Sequence, residues 1–341
     1  MTVAQRIGQL FLLGLRDNRL GGAELGAIRN QHVGSVWFTA TTTIGVAGVR
    51  QIADAVQAEA TTAATAGVGF FVAANQEGGL IQALKGPGFA RIPSAVDQGK
   101  LAPGVLEADA LAWGRALKQA GVNLDFGPVF DVVPPGGDAT NQPIGVLKRE
   151  YGHDPARAGT HAAAFVRGMA QAGVATTAKH FPGLGRVTGH TDFSAGVVDG
   201  TTTASDPFLD SFRMGVAAGV PFVMVGLATF TQIDPDHLAA FSPLVMGDLL
   251  RGDLMFSGVV MSDDLGATKA VEAIPAGQRA VDFLLAGGDF IVSKTTEATA
   301  AMTAAVASLA AADPNFATRV DDAALRILQA KEAAGLLPCT G

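Results

Sequence analysis

The chain has 341 residues, of which 48% are hydrophobic and 16% charged, and its formal net charge is −7 at pH 7. This length can bury a large core, and α/β barrels often reach it as one domain. The acidic balance argues against a general nucleic-acid-binding protein, which would carry a basic patch. The mean hydropathy of +0.31 comes from many short elements, and no apolar stretch reaches the roughly 20 residues that a transmembrane helix needs.

The sequence has one cysteine, Cys339. A single cysteine excludes a disulfide framework and a cysteine zinc site, but it leaves the cellular compartment open. Residues 1–16 lack the charged region and small-residue cleavage site of a signal peptide. The sequence therefore slightly favours a cytoplasmic protein over an exported one whose leader is absent from this chain. It does not indicate an oligomeric state.

Short apolar runs alternate with Ala-rich helical stretches along the whole chain. The predicted strands are 9–15, 33–40, 68–75, 122–128, 174–181, 221–227, 257–263 and 288–294. The predicted helices are 45–65, 105–121, 155–172, 206–218, 241–251, 275–286 and 296–311, with a C-terminal helix near 320–334. Four helices end in a glycine just before the next strand, as expected of helix C-caps: Gly67, Gly121, Gly173 and Gly219.

Eight strands that alternate with helices predict a parallel sheet, and eight is the number that closes a (β/α)₈ barrel of the TIM type. A doubly wound open sheet is the alternative. It would favour a phosphate-binding glycine loop after the first strand, and neither GxxxxGK[ST] nor a well-placed GxGxxG occurs there. No Pro- or Ser-rich linker divides the chain, so we expect one domain over residues 1–341.

In a barrel of this type, functional side chains lie at the C-terminal ends of the strands. Polar residues stand at three of the predicted strand ends: 75–77, 179–180 and 263–264. We expect them to converge on one mouth. Successive residues in a strand point to opposite sides, so one of Asp263 and Asp264 should face the mouth. Ser262 or Asp263 acting only as a helix N-cap is the alternative.

The loop after the fifth strand places Lys179, His180, Arg186, His190 and Asp192 within fourteen residues. A solvated surface loop is one interpretation. A metal site formed by His180, His190 and Asp192 is another, but nearby Lys179 and Arg186 would repel a cation. A neutral carbohydrate suits a mouth with cations and a carboxylate better, because the cations donate to hydroxyls and a carboxylate stabilises an oxocarbenium centre.

Six segments carry a resemblance to a known family: 5–14, 75–82, 123–132, 141–155, 179–183 (KHFPG) and 257–265 (SGVVMSDDL). Together they resemble glycoside hydrolase family 3, and in particular its single-domain bacterial β-N-acetylglucosaminidases that act on peptidoglycan fragments. The resemblance implies a barrel fold. It also implies an exo-acting retaining β-glycosidase for N-acetylglucosamine-type sugars, with neither a metal nor an organic cofactor.

The resemblance also implies roles for individual residues. Asp263 would be the nucleophile and form a covalent glycosyl ester. Lys179 and His180 would hold sugar hydroxyls, and Arg149 would contact the sugar. Asn75 stands where the family usually has an aspartate, so it keeps a hydrogen-bond acceptor but loses the charge that would strengthen the bond.

The loop departs from the family pattern. Relatives carry Asp-x-His there, with the histidine as acid/base and the aspartate as its orienting partner, whereas this chain has His190-Thr191-Asp192. A family arginine is also replaced by Ala83. Three accounts remain open. His190 delivers the proton with Asp192 as partner, which would also allow phosphorolysis; Asp192 itself protonates the leaving oxygen; or the loop is not catalytic, and the protein cleaves only activated substrates or merely binds sugar.

Overall fold

A computed structural model describes residues 1–338, so Cys339 lies outside the described residues. Eight parallel strands form the centre of the fold, and each predicted strand is confirmed in a shorter form. Their bounds are Phe11–Leu15 (β1), Ser35–Phe38 (β2), Phe71–Ala74 (β3), Leu124–Asp125 (β4), Ala175–Phe181 (β5), Phe222–Val225 (β6), Val259–Ser262 (β7) and Ile291–Ser293 (β8).

The strands pair in chain order, and β8 lies beside β1. In that pairing Phe11 lies opposite Ile291. A parallel bridge between Met261 and Phe290 links β7 to the chain just before β8. The sheet is therefore a nearly closed barrel. The (β/α)₈ prediction is confirmed, because the alternative open sheet would reverse the strand order along its length.

Helices surround the barrel. The α-helices are Val3–Gln9 (α1), Gly22–Asn30 (α2), Gly45–Gln57 (α3), Thr62–Thr65 (α4), Ala95–Gln98 (α5), Pro103–Gln119 (α6), Pro155–Gln171 (α7), Asp210–Ala217 (α8), Ala276–Leu285 (α9), Thr296–Ala312 (α10) and Pro314–Ala333 (α11). Shorter helical segments are Arg16–Asn18, Pro207–Leu209, Ala239–Phe241 and Lys269–Val271, and Leu244–Asp253 is a π-helix. None of the helices within residues 1–338 combines the length and the apolarity needed to cross a bilayer.

Two helix predictions differ most from the structure in their bounds. The predicted helix 45–65 is two helices, because the side chain of Thr61 caps a new helix by accepting from Ala64 N. The C-terminal helix begins at Pro314, before the predicted position, because the side chain of Asp313 accepts from the first backbone amides. The four predicted C-cap glycines all have φ between 73° and 79°, a region that favours glycine.

Aromatic rings fill the barrel below its mouth. Phe71 and Phe222 meet edge to face with ring centroids 5.4 Å apart, and Phe290 lies 6.2 Å from Phe222. All three are fully buried. The interior below the mouth is therefore a packed core, and in barrels of this kind the functional site lies at the C-terminal ends of the strands.

Short strands outside the barrel shape that end. Gln76–Gly78 and Ile81–Gln82 form a two-stranded ribbon directly after β3. A second small sheet joins Val198–Asp199, Thr229–Phe230 and Asp234–Leu238. The ribbon brings the residues after Asn75 over the mouth of the barrel.

Candidate active site

A cavity of about 150 Å³ opens at the C-terminal ends of the strands. All seven predicted site residues line it: Asn75, Arg149, Lys179, His180, His190, Asp192 and Asp263. Much of the remaining wall is formed by Trp37, Leu184, Met224 and Asp264. Residues separated by nearly 190 positions in the chain thus share one hollow, because the barrel gathers the ends of β3, β5 and β7.

Glu77 holds the two cations of the cavity floor. Its Oε1 lies 2.6 Å from Lys179 Nζ, and its carboxylate accepts two hydrogen bonds of 2.8 Å from the Arg149 guanidinium. Burial alone would raise the pKa of Glu77, but the charges of Arg149 and Lys179 outweigh burial and lower this pKa to about 2. Lys179 also donates to Asn75 Oδ1 at 2.7 Å. The four side chains form one hydrogen-bonded unit.

His180 is oriented by a buried carboxylate. Its Nδ1 lies 2.8 Å from Asp131 Oδ2, and Asp131 also accepts from the backbone amides of His180 and Leu184. The carboxylate accepts only, so Nδ1 carries a proton and donates. In neutral His180, Nε2 is then an acceptor, and Arg149 Nη2 lies 3.4 Å from it.

The two adjacent aspartates after β7 have different surroundings. Asp264 Oδ1 accepts from the backbone amides of Gly266 and Lys294, which ties it to the loops. Burial, more than the charge of Asp263, raises the pKa of Asp264 to about 6. Asp263 accepts one backbone hydrogen bond, from Asp264 N to Oδ1 at 2.8 Å. Asp264 is thus engaged by backbone, and Asp263 keeps an oxygen available toward the cavity.

The loop that carries His190 and Asp192 is fixed at both ends. At its base, Asn141 Nδ2 donates to the carbonyls of Leu184 and Val187. At its tip, the carbonyls of Thr191 and Asp192 accept from backbone amides of the segment that follows Asp263, those of residues 270 and 269. The loop is therefore held over the nucleophile candidate rather than spread into solvent.

His190 and Asp192 do not form the side-chain dyad of the first of the three accounts. Asp192 Oδ2 lies 3.9 Å from His190 Nδ1, beyond hydrogen-bond distance. The backbone N–H of Asp192 donates to that Nδ1 at 3.2 Å instead, so the ring proton lies on Nε2 in this arrangement. Burial lowers the pKa of His190. Burial, reinforced by the charge of Asp263, raises the pKa of Asp192.

Arg186 is not part of the cavity, and its prediction as one of the cations of the mouth is wrong. Its guanidinium forms an ion pair of 2.7 Å with Asp206 and donates to Thr202. It also stacks over the Phe208 ring at 4.0 Å from the centroid. The residue spacing correctly placed Arg186 in this loop, but it could not predict the direction in which the side chain points.

Sequence reasoning missed the residues that hold the others in place. Glu77 forms ion pairs with Arg149 and Lys179, and Asp131 contacts His180. Both carboxylates belong to segments that carried the family resemblance. Their positions shortly after β3 and β4, three and six residues beyond the strand ends, were the available signal. Within residues 1–338, no group of three or more His, Cys, Asp or Glu side chains has an arrangement that would hold a metal ion.

A parallel (β/α)₈ barrel with a carboxylate, a Lys-His pair and an arginine around a small polar mouth has the architecture of a barrel-type glycoside hydrolase. The chain belongs to glycosyl hydrolase family 3: the model of that family's N-terminal domain matches residues 2–330.

Individual relatives agree with this assignment. The β-hexosaminidase of Stenotrophomonas maltophilia is 35% identical over 60% of this chain, and the match spans 62% of that protein's length. The β-hexosaminidase of Idiomarina loihiensis is 32% identical over 78% of both chains. Among solved structures, a β-N-acetylhexosaminidase from Beutenbergia cavernae is 46% identical, with a TM-score of 0.96 over 97% of this chain and 99% of that one.

A more distant structure has the same fold. The family 3 β-N-acetylglucosaminidase of Paenibacillus sp. is 27% identical, with a TM-score of 0.88, and the match covers all of this chain and 64% of that protein. The match therefore spans less than two thirds of the length of some relatives.

Proposed function

We propose that residues 1–341 form one catalytic unit, a retaining β-N-acetylhexosaminidase that removes a terminal N-acetylglucosamine-type sugar from a glycan or peptidoglycan fragment. One observation carries the proposal: Asp263, the cation pair on Glu77 and the His190-Asp192 loop surround a single cavity. The choice of sugar is supported by the relatives that are named β-hexosaminidase or β-N-acetylhexosaminidase.

The floor of the cavity suits sugar hydroxyls. Lys179 and Arg149 are already paired to Glu77, so their positions do not depend on the substrate, and binding costs little ordering entropy. His180 Nε2 and Asn75 Oδ1 add acceptors for hydroxyl protons. The small volume favours one sugar ring at a time, which is why we propose exo action.

Asp263 acts as nucleophile in this mechanism. One of its oxygens attacks the anomeric carbon as the bond to the aglycone oxygen breaks, which gives a covalent glycosyl ester and inverts the centre. Water then attacks the same carbon, the ester bond breaks, and the second inversion restores the β configuration. Asp264 is a positioning residue, because two backbone amides engage its Oδ1.

We assign the proton transfers to Asp192. A neutral His190 whose Nδ1 accepts from a backbone amide holds its proton on Nε2, and a neutral imidazole is a poor acid. Asp192, with its raised pKa, retains a proton better than an ordinary aspartate, as a general acid requires. It gives this proton to the leaving oxygen and takes one from the attacking water. Both steps need only two carboxyl groups and water, so no cofactor enters the proposal.

Trapping of the glycosyl ester tests the nucleophile. A 5-fluoro analogue of an activated β-N-acetylglucosaminide slows hydrolysis of the ester, so the labelled peptide can be identified by mass spectrometry. We expect the label on Asp263 in the wild type and in Asp264→Asn, and no label in Asp263→Asn. A label on Asp264, or full turnover by Asp263→Asn, would refute the assignment.

Two other functions are distinguished by product analysis. A phosphorylase would give sugar 1-phosphate and depend on added phosphate; an ionised Asp192 would repel that anion, so we expect free sugar instead. A sugar-binding protein without turnover would cleave neither an aryl β-N-acetylglucosaminide nor a natural disaccharide, although the sugar would still raise the melting temperature.

A further inference from the structure

A second groove lies beside the catalytic cavity. It has a volume of about 470 Å³ and is lined by Leu80, Arg91, Asp97, Leu147 and Lys148 among others. Leu147 lines the catalytic cavity as well. The two spaces therefore adjoin at this side chain, and a substrate whose terminal sugar fills the cavity can extend into the groove.

The backbone at Lys148 directs consecutive side chains to the two spaces. Leu147 and Arg149 line the catalytic cavity, whereas Lys148 lines the groove. Lys148 has φ of 57°, in the left-handed region where glycine or asparagine is the usual residue. A lysine kept in a strained conformation at the edge of a site points to a function for its side chain.

The groove carries two cations without partners. Arg91 and Lys148 are exposed, and within residues 1–338 neither side chain forms a hydrogen bond or an ion pair. Asp97 is the carboxylate in the wall of the groove, and it is bound to Lys100 at 2.7 Å and to Ser94 at 2.8 Å. Those hydrogen bonds and then the charge of Lys100 lower the pKa of Asp97, and the charge of Lys148 makes only the smallest contribution to this shift. The chain as a whole is acidic, whereas two cations line this groove.

We propose that this groove binds an anionic group, a carboxylate or a phosphate, on the aglycone of the substrate. The inference rests on the proposed function for the position of the sugar, and it adds the chemical class of the leaving portion. The guanidinium of Arg91 and the ammonium of Lys148 pair with the anion, and Leu80, which is 69% exposed, offers apolar contact.

Three aryl β-N-acetylglucosaminides test the proposal. They share one phenol and differ only at the end of a short linker, which carries a carboxamide, a carboxylate or a phosphate. The readout is the ratio of kcat/KM for each anionic substrate to that for the carboxamide. We expect the ratio to fall about threefold in Arg91→Gln and in Lys148→Gln and about tenfold in the double variant, as exposed charge pairs allow. The carboxylate and phosphate arms show which anion the groove prefers.

Two controls make the result specific. Lys118→Gln removes an exposed lysine at the opposite end of the barrel, and its ratio should match the wild type. About 0.5 M NaCl should remove most of the preference, because it screens exposed charges strongly. A wild type that does not favour either anionic substrate, or a double variant that keeps the preference, would overturn the proposal.

Failure of the proposed function has a different signature. In that case the wild type would cleave none of the three substrates, including the neutral one. Calorimetric titration with the matching S-linked glycosides then decides the groove by itself. Tighter binding of the anionic glycosides that the double variant loses supports the groove, and equal binding of all three glycosides refutes it.

Discussion

Glu77 Oε1 lies 2.6 Å from Lys179 Nζ. The same carboxylate also forms a buried ion pair with Arg149. One buried carboxylate therefore pairs with two buried cations. A hydrogen bond from a cation to a sugar hydroxyl contributes more binding free energy when the position of the cation is fixed before the sugar binds. We therefore expect Glu77 to affect both the stability of the barrel mouth and the binding of substrate.

Glu77→Gln should weaken both properties. The substitution leaves two buried cations without their carboxylate, so we expect a loss of about 3–5 kcal/mol in the free energy of unfolding. Small displacements of Lys179 and Arg149 should also lower kcat/KM by about a hundredfold. Urea denaturation and steady-state kinetics on an aryl β-N-acetylglucosaminide measure the two effects.

A matched control is Glu107→Gln, which breaks the exposed pair with Arg167 and should cost less than about 1 kcal/mol. The pH dependence gives a further check. The pKa of Glu77 is about 2, below its ordinary value of 4.5, so its stabilisation is present above pH 4.5 and is lost as pH falls toward 2. Glu77→Gln should lose this part of the acid sensitivity; an unchanged acid transition would contradict the role of Glu77.

The two aspartates after β7 should differ sharply in their effect on turnover. Asp263→Asn removes the proposed nucleophile, so we expect turnover to be abolished with modest loss of sugar binding, measured by kcat and by calorimetry with the product. Asp264→Asn keeps a side-chain oxygen for the amides of Gly266 and Lys294, so its kcat/KM should stay within about tenfold of the wild type. Similar losses in both variants would mean that the carboxylates act as a pair.

The loop variants should separate an acid from a positioning residue. Asp192→Ala should lower kcat/KM for a natural disaccharide by about 10²–10⁴-fold and affect an aryl substrate far less, because its leaving group needs little protonation. Activity on the disaccharide should fall as pH rises through the raised pKa of Asp192, and the variant should lose this limb of the profile. Added azide should restore turnover of the aryl substrate by replacing water in the second step.

His190→Ala is the companion variant. If His190 only accepts the Asp192 amide and holds the loop, both substrates should be affected about equally. A selective loss on the disaccharide, together with an unchanged profile in Asp192→Ala, would return the acid role to His190.

The fold was predictable because buried parallel strands leave a local signal. Each of the eight runs is short and mostly apolar, most are followed by a helix pattern, and four of the helices end in a glycine cap, so the number of runs was enough to predict the barrel. Helix bounds were less accessible. The break at Thr61 depends on one side-chain cap, and the apolar pattern of 45–65 continues through it.

The residues that line the candidate cavity were predictable, but the contacts between their side chains were not. Lys179, His180 and Asp263 lie at strand ends, where topology alone brings side chains together. The direction of Arg186 depended on Asp206 and Phe208, which lie beyond the motif. The relation of His190 to Asp192 depended on a backbone hydrogen bond, and residue order cannot show which atoms of the two residues meet.

Asp289 should be a main source of stability at the other end of the barrel. This fully buried carboxylate accepts from Arg251 at 2.6 Å, Arg319 at 2.8 Å and Arg326 at 3.1 Å, and so links α11 and the π-helix to the start of β8. Asp289→Asn leaves three partly exposed guanidinium groups without a counter-charge, so we expect a loss of about 2–3 kcal/mol, below the cost for a fully buried pair.

The matched control for Asp289 is Asp321→Asn. It breaks the exposed pair with Arg6 and should cost less than about 1 kcal/mol. Urea denaturation followed by circular dichroism measures both. If the two variants unfold at the same urea concentration, the arginine cluster is a surface feature with little effect on the fold.

Lys331 should make the stability of the protein rise with pH above neutrality. Its ammonium nitrogen is fully buried and donates to Gln9 Oε1 and the Gly34 carbonyl, and burial lowers its pKa from 10.5 to about 7. Between pH 7 and 10.5 the unfolded chain therefore binds a proton that the folded chain does not, so the free energy of unfolding increases with pH across this window. Lys331→Met loses two hydrogen bonds, so it should be less stable than the wild type at pH values where Lys331 of the wild type is neutral. The free energy of unfolding of the variant should be nearly constant from pH 7 to about 9.5. Above that range Tyr151, whose pKa burial raises well above 10, adds an opposing slope. Urea titrations at several pH values, with Lys118→Met as the exposed-lysine control, measure the slope; parallel slopes in Lys331→Met and the wild type would show that Lys331 stays charged in the folded protein.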